Sequence, residues 1–157
     1  MKKEVKLNRQ DFLRQAVLKT CGMACLSTSV LTAALTSCSS VYYAQAPRIK
    51  GWAIQISKKE FDLDPNCKRQ RPFMVVEMKN QTHPIYLRRV GGDNFTAVLM
   101  QCTHQGNDLN AHDGYLSCPA HGSEYDTDGR VTEGPAEDSL KRYTVTTDEQ
   151  YIYINIA

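Results

Sequence analysis

No apolar run in the 157-residue chain reaches the roughly 20 residues that a membrane-spanning helix needs. The best stretch, from about Cys21 to Leu35, is shorter and rich in Thr, Ser and Ala, so it is weak as a permanent anchor. Charge of one sign is also lacking: 19 Lys and Arg face 17 Asp and Glu, for a net charge of +2. That balance excludes nucleic acid as an expected partner. After Cys38 there is no long stretch of helical periodicity, which excludes a helical bundle. Internal repeats and low-complexity tracts are missing as well, and no nucleophile–base pair is evident. The protein is therefore not expected to catalyse a reaction alone.

The small net charge hides a division. Six of the basic residues and two of the acidic ones precede Cys38, which leaves the remainder of the chain at −2. Residues 1–37 read as an export signal: Lys2, Lys3, Lys6, Arg9 and Arg14 form a positive leader ahead of the apolar stretch. The stretch ends in Leu35-Thr36-Ser37-Cys38, which resembles a bacterial lipobox, with cleavage before a Cys38 that carries the lipid. Asn8–Arg14 also resembles a twin-arginine export signal, with Gln10 where the second arginine belongs; the general secretory route is the alternative. The expected product is an exported cell-envelope lipoprotein, held to a membrane through Cys38. Residues 38–50 are expected to be a tether and 51–157 the folded domain.

Within that domain the signals are for strands. Trp52, Ile54 and Ile56 alternate with Ala53, Gln55 and Ser57, and short β-rich runs follow at 73–78, 84–90 and 95–100. Gly91–Asn94, Asp113-Gly114 and Asp128-Gly129 are turn sequences, and a last hairpin joins 143–145 to 151–156. The fold class is all-β, a small antiparallel sandwich or barrel.

Two short segments carry the chemistry. Cys102-Thr103-His104 follows one predicted strand, and Cys118-Pro119-Ala120-His121-Gly122-Ser123 follows another, with thirteen residues between His104 and Cys118. Each offers one thiolate and one imidazole. Such a set can hold zinc tetrahedrally. It can equally hold a 2Fe-2S cluster, with both cysteines on one iron and both histidines on the other. Cys67 has no cysteine left to pair with and is expected to be an idle thiol, and His83 and His112 are expected at the surface without a ligand role.

The residues around and after the second segment distinguish these fillings. Ser123, Tyr125, Gly129-Arg130-Val131 and Gly134-Pro135-Ala136 follow in an order that closely resembles the Rieske subunits of cytochrome bc and bf complexes. The resemblance implies a Rieske-type domain whose cluster-binding subdomain consists of two loops, with Cys102, His104, Cys118 and His121 as ligands. It also implies that Ser123 donates a hydrogen bond to a bridging sulfide, that Tyr125 donates to a cysteine sulfur, and that Pro135 helps to cover the cluster. Donors aimed at sulfur stabilise the more negative reduced state, so an intermediate-to-high potential is expected.

The chain departs from the quinol-oxidising members in three places. Asn107 and Ala120 stand where those proteins carry a disulfide, and Gln105 where they commonly have leucine. The expected function is a membrane-tethered electron carrier, or the small subunit of a respiratory oxidoreductase. Its partner would be a cytochrome or another oxidoreductase subunit. The competing readings are a quinol-oxidising subunit of a bc-like complex, which would bind quinol, and a zinc-stabilised binding lipoprotein. A self-contained Rieske oxygenase is excluded, because no second domain supplies its two-His, one-carboxylate iron site.

Overall fold

The computed structural model describes residues 41–64, 69–79 and 81–157. The export signal, the lipobox with Cys38, and Cys67 lie outside the described residues. The folded unit spans Val41–Ala157. It therefore begins ten residues before Gly51, within the segment expected to be tether. Tyr42–Ala44 run parallel to an edge strand: the Val75 N–H donates to the Tyr42 carbonyl at 2.9 Å, and the Ala44 N–H to the Val75 carbonyl at 2.8 Å. Arg48–Lys50 then form a strand of their own, β1. Three residues of exposed backbone carry too little apolar patterning to mark such a strand.

The other strands are β2 (Ala53–Ser57), β3 (Asp62–Asp64), β4 (Arg69–Gln70), β5 (Phe73–Val76), β6 (Ile85–Gly91) and β7 (Asn94–Leu99). They continue with β8 (Asn110–Ala111), β9 (Tyr115–Ser117), β10 (Glu124–Asp126), β11 (Val131–Glu133), β12 (Arg142–Thr147) and β13 (Tyr151–Asn155). Seven of them form one antiparallel sheet in the order β1-β2-β13-β12-β7-β6-β5, and four form a second in the order β11-β10-β9-β8. No helix among the described residues is long and apolar enough to cross a membrane.

Two cores lie on the two faces of the large sheet. Ile54 and Ile56 pair with Ile154 and Ile152, and with Met74, Val76, Ile85 and Leu87 they fill one face. Val75, Tyr86, Val98 and Met100 point the other way and pack against Leu109, Leu116, Tyr125 and Leu140 of the smaller sheet and its loops. Because β5 is buried on both faces, its sequence Phe-Met-Val-Val runs apolar without alternation. The second core places the functional loops. Strand β7 leads through Met100 into Cys102, and β9 leads directly into Cys118, so both cysteines sit at the edge of that core. Trp52, which the alternation groups with Ile54, is instead 78% exposed at the β1–β2 turn.

Candidate metal centre

The two loops share one backbone design. In the first, the Cys102 carbonyl accepts from the Gly106 N–H at 2.7 Å, while the Cys102 N–H donates to the Asn107 carbonyl at 2.8 Å. In the second, the Cys118 carbonyl accepts from the Gly122 N–H at 3.0 Å, while the Cys118 N–H donates to the Ser123 carbonyl at 2.8 Å. The glycine four residues after each cysteine has positive φ, +77° at Gly106 and +81° at Gly122, a region that strains other residues. Each loop thus turns tightly around its own cysteine. The histidine lies inside the turn, two residues on in one loop and three in the other.

The four expected ligands are sorted by type. Cys102 and Cys118 are buried free thiols, 1% and 3% exposed. His104 and His121 are exposed, with ring centroids 4.9 Å apart and planes edge-to-face at 86°. Among the described residues no three Cys, His, Asp or Glu side chains converge as they would around a single ion. A binuclear filling suits that arrangement better than tetrahedral zinc, because each metal then needs only two protein ligands.

The surrounding donors fit an anionic, sulfur-rich group. Burial raises the Cys102 thiol, but hydrogen bonds from the Tyr125 hydroxyl, the His104 and Gln105 backbone N–H groups and Cys118 together bring it below the ordinary thiol value. Tyr125 is fully buried, with its Oη 3.4 Å from Cys102 Sγ. Burial first, then the hydrogen bond with Cys102, holds the Tyr125 hydroxyl above the ordinary tyrosine value, so it remains a donor at neutral pH.

Ser123 gives the sharpest fit. It is the buried polar residue of the described chain, and its Oγ accepts from the Ala136 N–H at 3.0 Å. Its own proton has no acceptor among the described residues, so it is available to a group lying between the loops. Buried polar hydrogens are rarely left unpaired, and a bridging sulfide would supply the missing acceptor.

The segment after β11 ties these parts together. Pro135 is exposed beyond a cis Gly134–Pro135 peptide, and Ala136 behind it is buried against Ser123. Asp138 accepts at its carbonyl from the Thr103 hydroxyl at 2.7 Å. Thr103 also approaches Tyr125 twice: its N–H donates to Tyr125 Oη at 3.1 Å, and its Oγ1 lies 3.0 Å from the same oxygen. Thr103 was not foreseen from the sequence; its position between Cys102 and His104 was the available signal.

The two remaining histidines are not idle surface residues. His83 is half-buried and bonds Asp108 through Nδ1 at 2.6 Å, linking the β5–β6 loop to the first cluster loop. His112 is half-buried too, stacked on Tyr115 with centroids 4.4 Å apart and bonded through Nε2 to Ser117 Oγ at 3.0 Å. Both were expected at the surface without a ligand role, and neither partner adjoins its histidine in sequence.

Residues 59–144, more than half of the chain, match the family described as the Rieske [2Fe-2S] domain. The chain belongs to that family. It accordingly carries a Rieske-type 2Fe-2S cluster, a group that accepts and releases single electrons. Among curated proteins it is similar to the cytochrome b6-f complex iron-sulfur subunit 2 of Nostoc sp. strain PCC 7120, 38% identical over 76 residues, covering 46% of this chain and 43% of that one. It is also similar to the Rieske subunit of the mitochondrial cytochrome b-c1 complex of Bos taurus, 34% identical over 101 residues, covering 61% and 34%. The chain thus spans less than half the length of these Rieske relatives. Among solved structures, the cyanobacterial plasma membrane Rieske protein of Synechocystis PCC 6803 is 27% identical, with a TM-score of 0.46, covering 53% of this chain and 85% of that one.

Proposed function

We propose that this Rieske protein is an exported, membrane-tethered carrier of single electrons, or the small subunit of a respiratory oxidoreductase. The observation that carries this reading is the sorting of the ligand set. The cysteines are buried at the edge of the second core, and the histidines alone face solvent at the loop tips. Cys102 and Cys118 would bind the inner iron, and His104 and His121 the outer one. Electron exchange with a docked protein would then run through an imidazole edge, the shortest route to the surface. Ser123 and Tyr125 would hold the added negative charge of the reduced state by donating to sulfur.

The tether belongs to the same proposal. Residues 1–37 act as the export signal, Cys38 carries the lipid, and the domain faces outward from the membrane in the cell envelope. The folded domain starts at Val41, three residues after Cys38, so the tether is proposed to be shorter than the one expected through residue 50.

The second reading, a quinol-oxidising subunit of a bc-like complex, is favoured by the similarity to such subunits. Against it stand Asn107 and Ala120, where those proteins carry the bracing disulfide. Mixing the reduced protein with a haem protein in stopped flow, beside a parallel trial of quinol as reductant, separates the two. Fast oxidation by the haem protein and no reduction by quinol supports the carrier, and rapid reduction by quinol supports the alternative.

A further inference from the structure

The β1–β2 hairpin has no part in the cluster site, yet its tip carries the most exposed large apolar side chain of the described residues. Trp52, the chain's single tryptophan, is 78% exposed, and Ile49 beside it is 56% exposed. Ile49 is the register partner of Ile54, so it lies on the face that elsewhere forms the core, beyond the point where the core covers it. Arg48 and Lys50 flank Ile49 and are both exposed. The tip is held in place: the Ile156 N–H donates to the Trp52 carbonyl at 2.9 Å, and the Lys50 ammonium sits 5.5 Å from the Tyr153 ring centroid.

We infer that this hairpin tip rests on the surface of an anionic lipid bilayer. Tryptophan prefers the zone between headgroups and acyl chains, and a neighbouring isoleucine adds apolar contact there. Arg48 and Lys50 match anionic headgroups in charge, and each such residue strengthens attachment about fivefold near an anionic surface. A second copy of the chain is a poorer occupant, because a stable interface needs about 800 Å² per partner and the tip offers two apolar side chains and a three-residue edge. A lipid on Cys38 would keep the bilayer close, because Cys38 precedes the start of the folded domain at Val41 by three residues, a contour of about 10 Å.

This inference rests on the lipid anchor proposed at Cys38. Acyl chains hold the domain to the membrane but leave it free to swivel, and a contact at Trp52 fixes its orientation. The hairpin's role is therefore orientation more than affinity.

Trp52 is its own reporter. The acylated full chain is reconstituted on phosphatidylcholine vesicles with and without phosphatidylglycerol, recovered by flotation, and weighed by mass spectrometry. The contact predicts that, on the anionic vesicles, Trp52 emission shifts to the blue, brominated lipids quench it, and acrylamide loses access to it. The double variant Arg48→Gln, Lys50→Gln should lose most of that shift while still floating. Flotation with an unshifted, acrylamide-accessible Trp52 overturns the contact and leaves the anchor standing. A chain that neither floats nor carries acyl mass overturns the anchor, and with it this contact. A blue shift that appears without vesicles and vanishes on dilution overturns it in favour of self-association.

Discussion

Replacing Tyr125 by Phe removes one hydroxyl and leaves the ring in its buried place, so it isolates one hydrogen bond. That bond joins Tyr125 Oη to Cys102 Sγ across 3.4 Å, and burial keeps the hydroxyl protonated. A hydrogen bond to a charged acceptor contributes about 1.5–3 kcal/mol. Both redox states accept it, so only the difference between them moves the potential. Taking roughly two-thirds of the smaller figure gives about 1 kcal/mol in favour of the reduced state. For a one-electron couple a tenfold change in equilibrium is about 59 mV, so the variant's midpoint should fall by roughly 40 mV. Folding should suffer less than that of a core truncation. The orphaned Thr103 N–H lies on an exposed residue, and water can replace the lost acceptor. The assay is a redox titration of both proteins at one fixed neutral pH, followed by visible circular dichroism. An unchanged or higher midpoint would refute the reasoning, because it would mean that the tyrosine proton does not reach the sulfur.

Ser123→Ala should lower the midpoint as well. It should also destabilise the protein by about 1–3 kcal/mol in chemical denaturation, since the buried Ala136 N–H loses its acceptor. Gly129→Ala should cost about 2–3 kcal/mol by the same measure. Its φ is +82°, and an added Cβ would stand 3.0 Å from Leu140 Cβ and 3.3 Å from Val98 Cγ1. Asp148, in the β12–β13 turn, is held below the ordinary aspartate value by hydrogen bonds from Tyr153 Oη and the Gln150 and Tyr151 N–H groups. Its stabilising effect is complete above the unfolded value of about 4 and is lost as pH falls below it. Urea midpoints measured from pH 5 downward should therefore drop more steeply for the native protein than for Asp148→Asn. His83→Ala should raise amide hydrogen exchange in residues 105–109, where Asp108 loses its 2.6 Å partner.

The site was more legible in the sequence than the framework that holds it. Cysteine and histidine have few reasons to recur at close spacing, so Cys102, His104, Cys118 and His121 stood out, and Ser123 and Tyr125 followed at fixed offsets. The long strands were legible where one face is wet, as in β2 and β13, because burial then imposes a period of two. The two- and three-residue strands β1, β8 and β11 were not, since so few positions cannot display a period. Nor could Tyr42–Ala44 be seen to pair with β5, because the register is set by a partner thirty residues away. Thr103 and His83 share that difficulty. Both acquire their roles from residues that only the fold brings near, Tyr125 and Asp138 for the first and Asp108 for the second, and His112 acquires its own from the local turn into β9.

The central claim is that Cys102 and Cys118 hold one iron while His104 and His121 hold the other. Mössbauer spectroscopy of the iron-57-enriched protein, with nitrogen couplings read by pulsed electron paramagnetic resonance on the reduced form, tests it most directly. Two inequivalent iron sites in equal amounts and two imidazole nitrogens coupled to the spin are expected. One iron type without nitrogen coupling, or a colourless protein that binds zinc in place of iron, would contradict it.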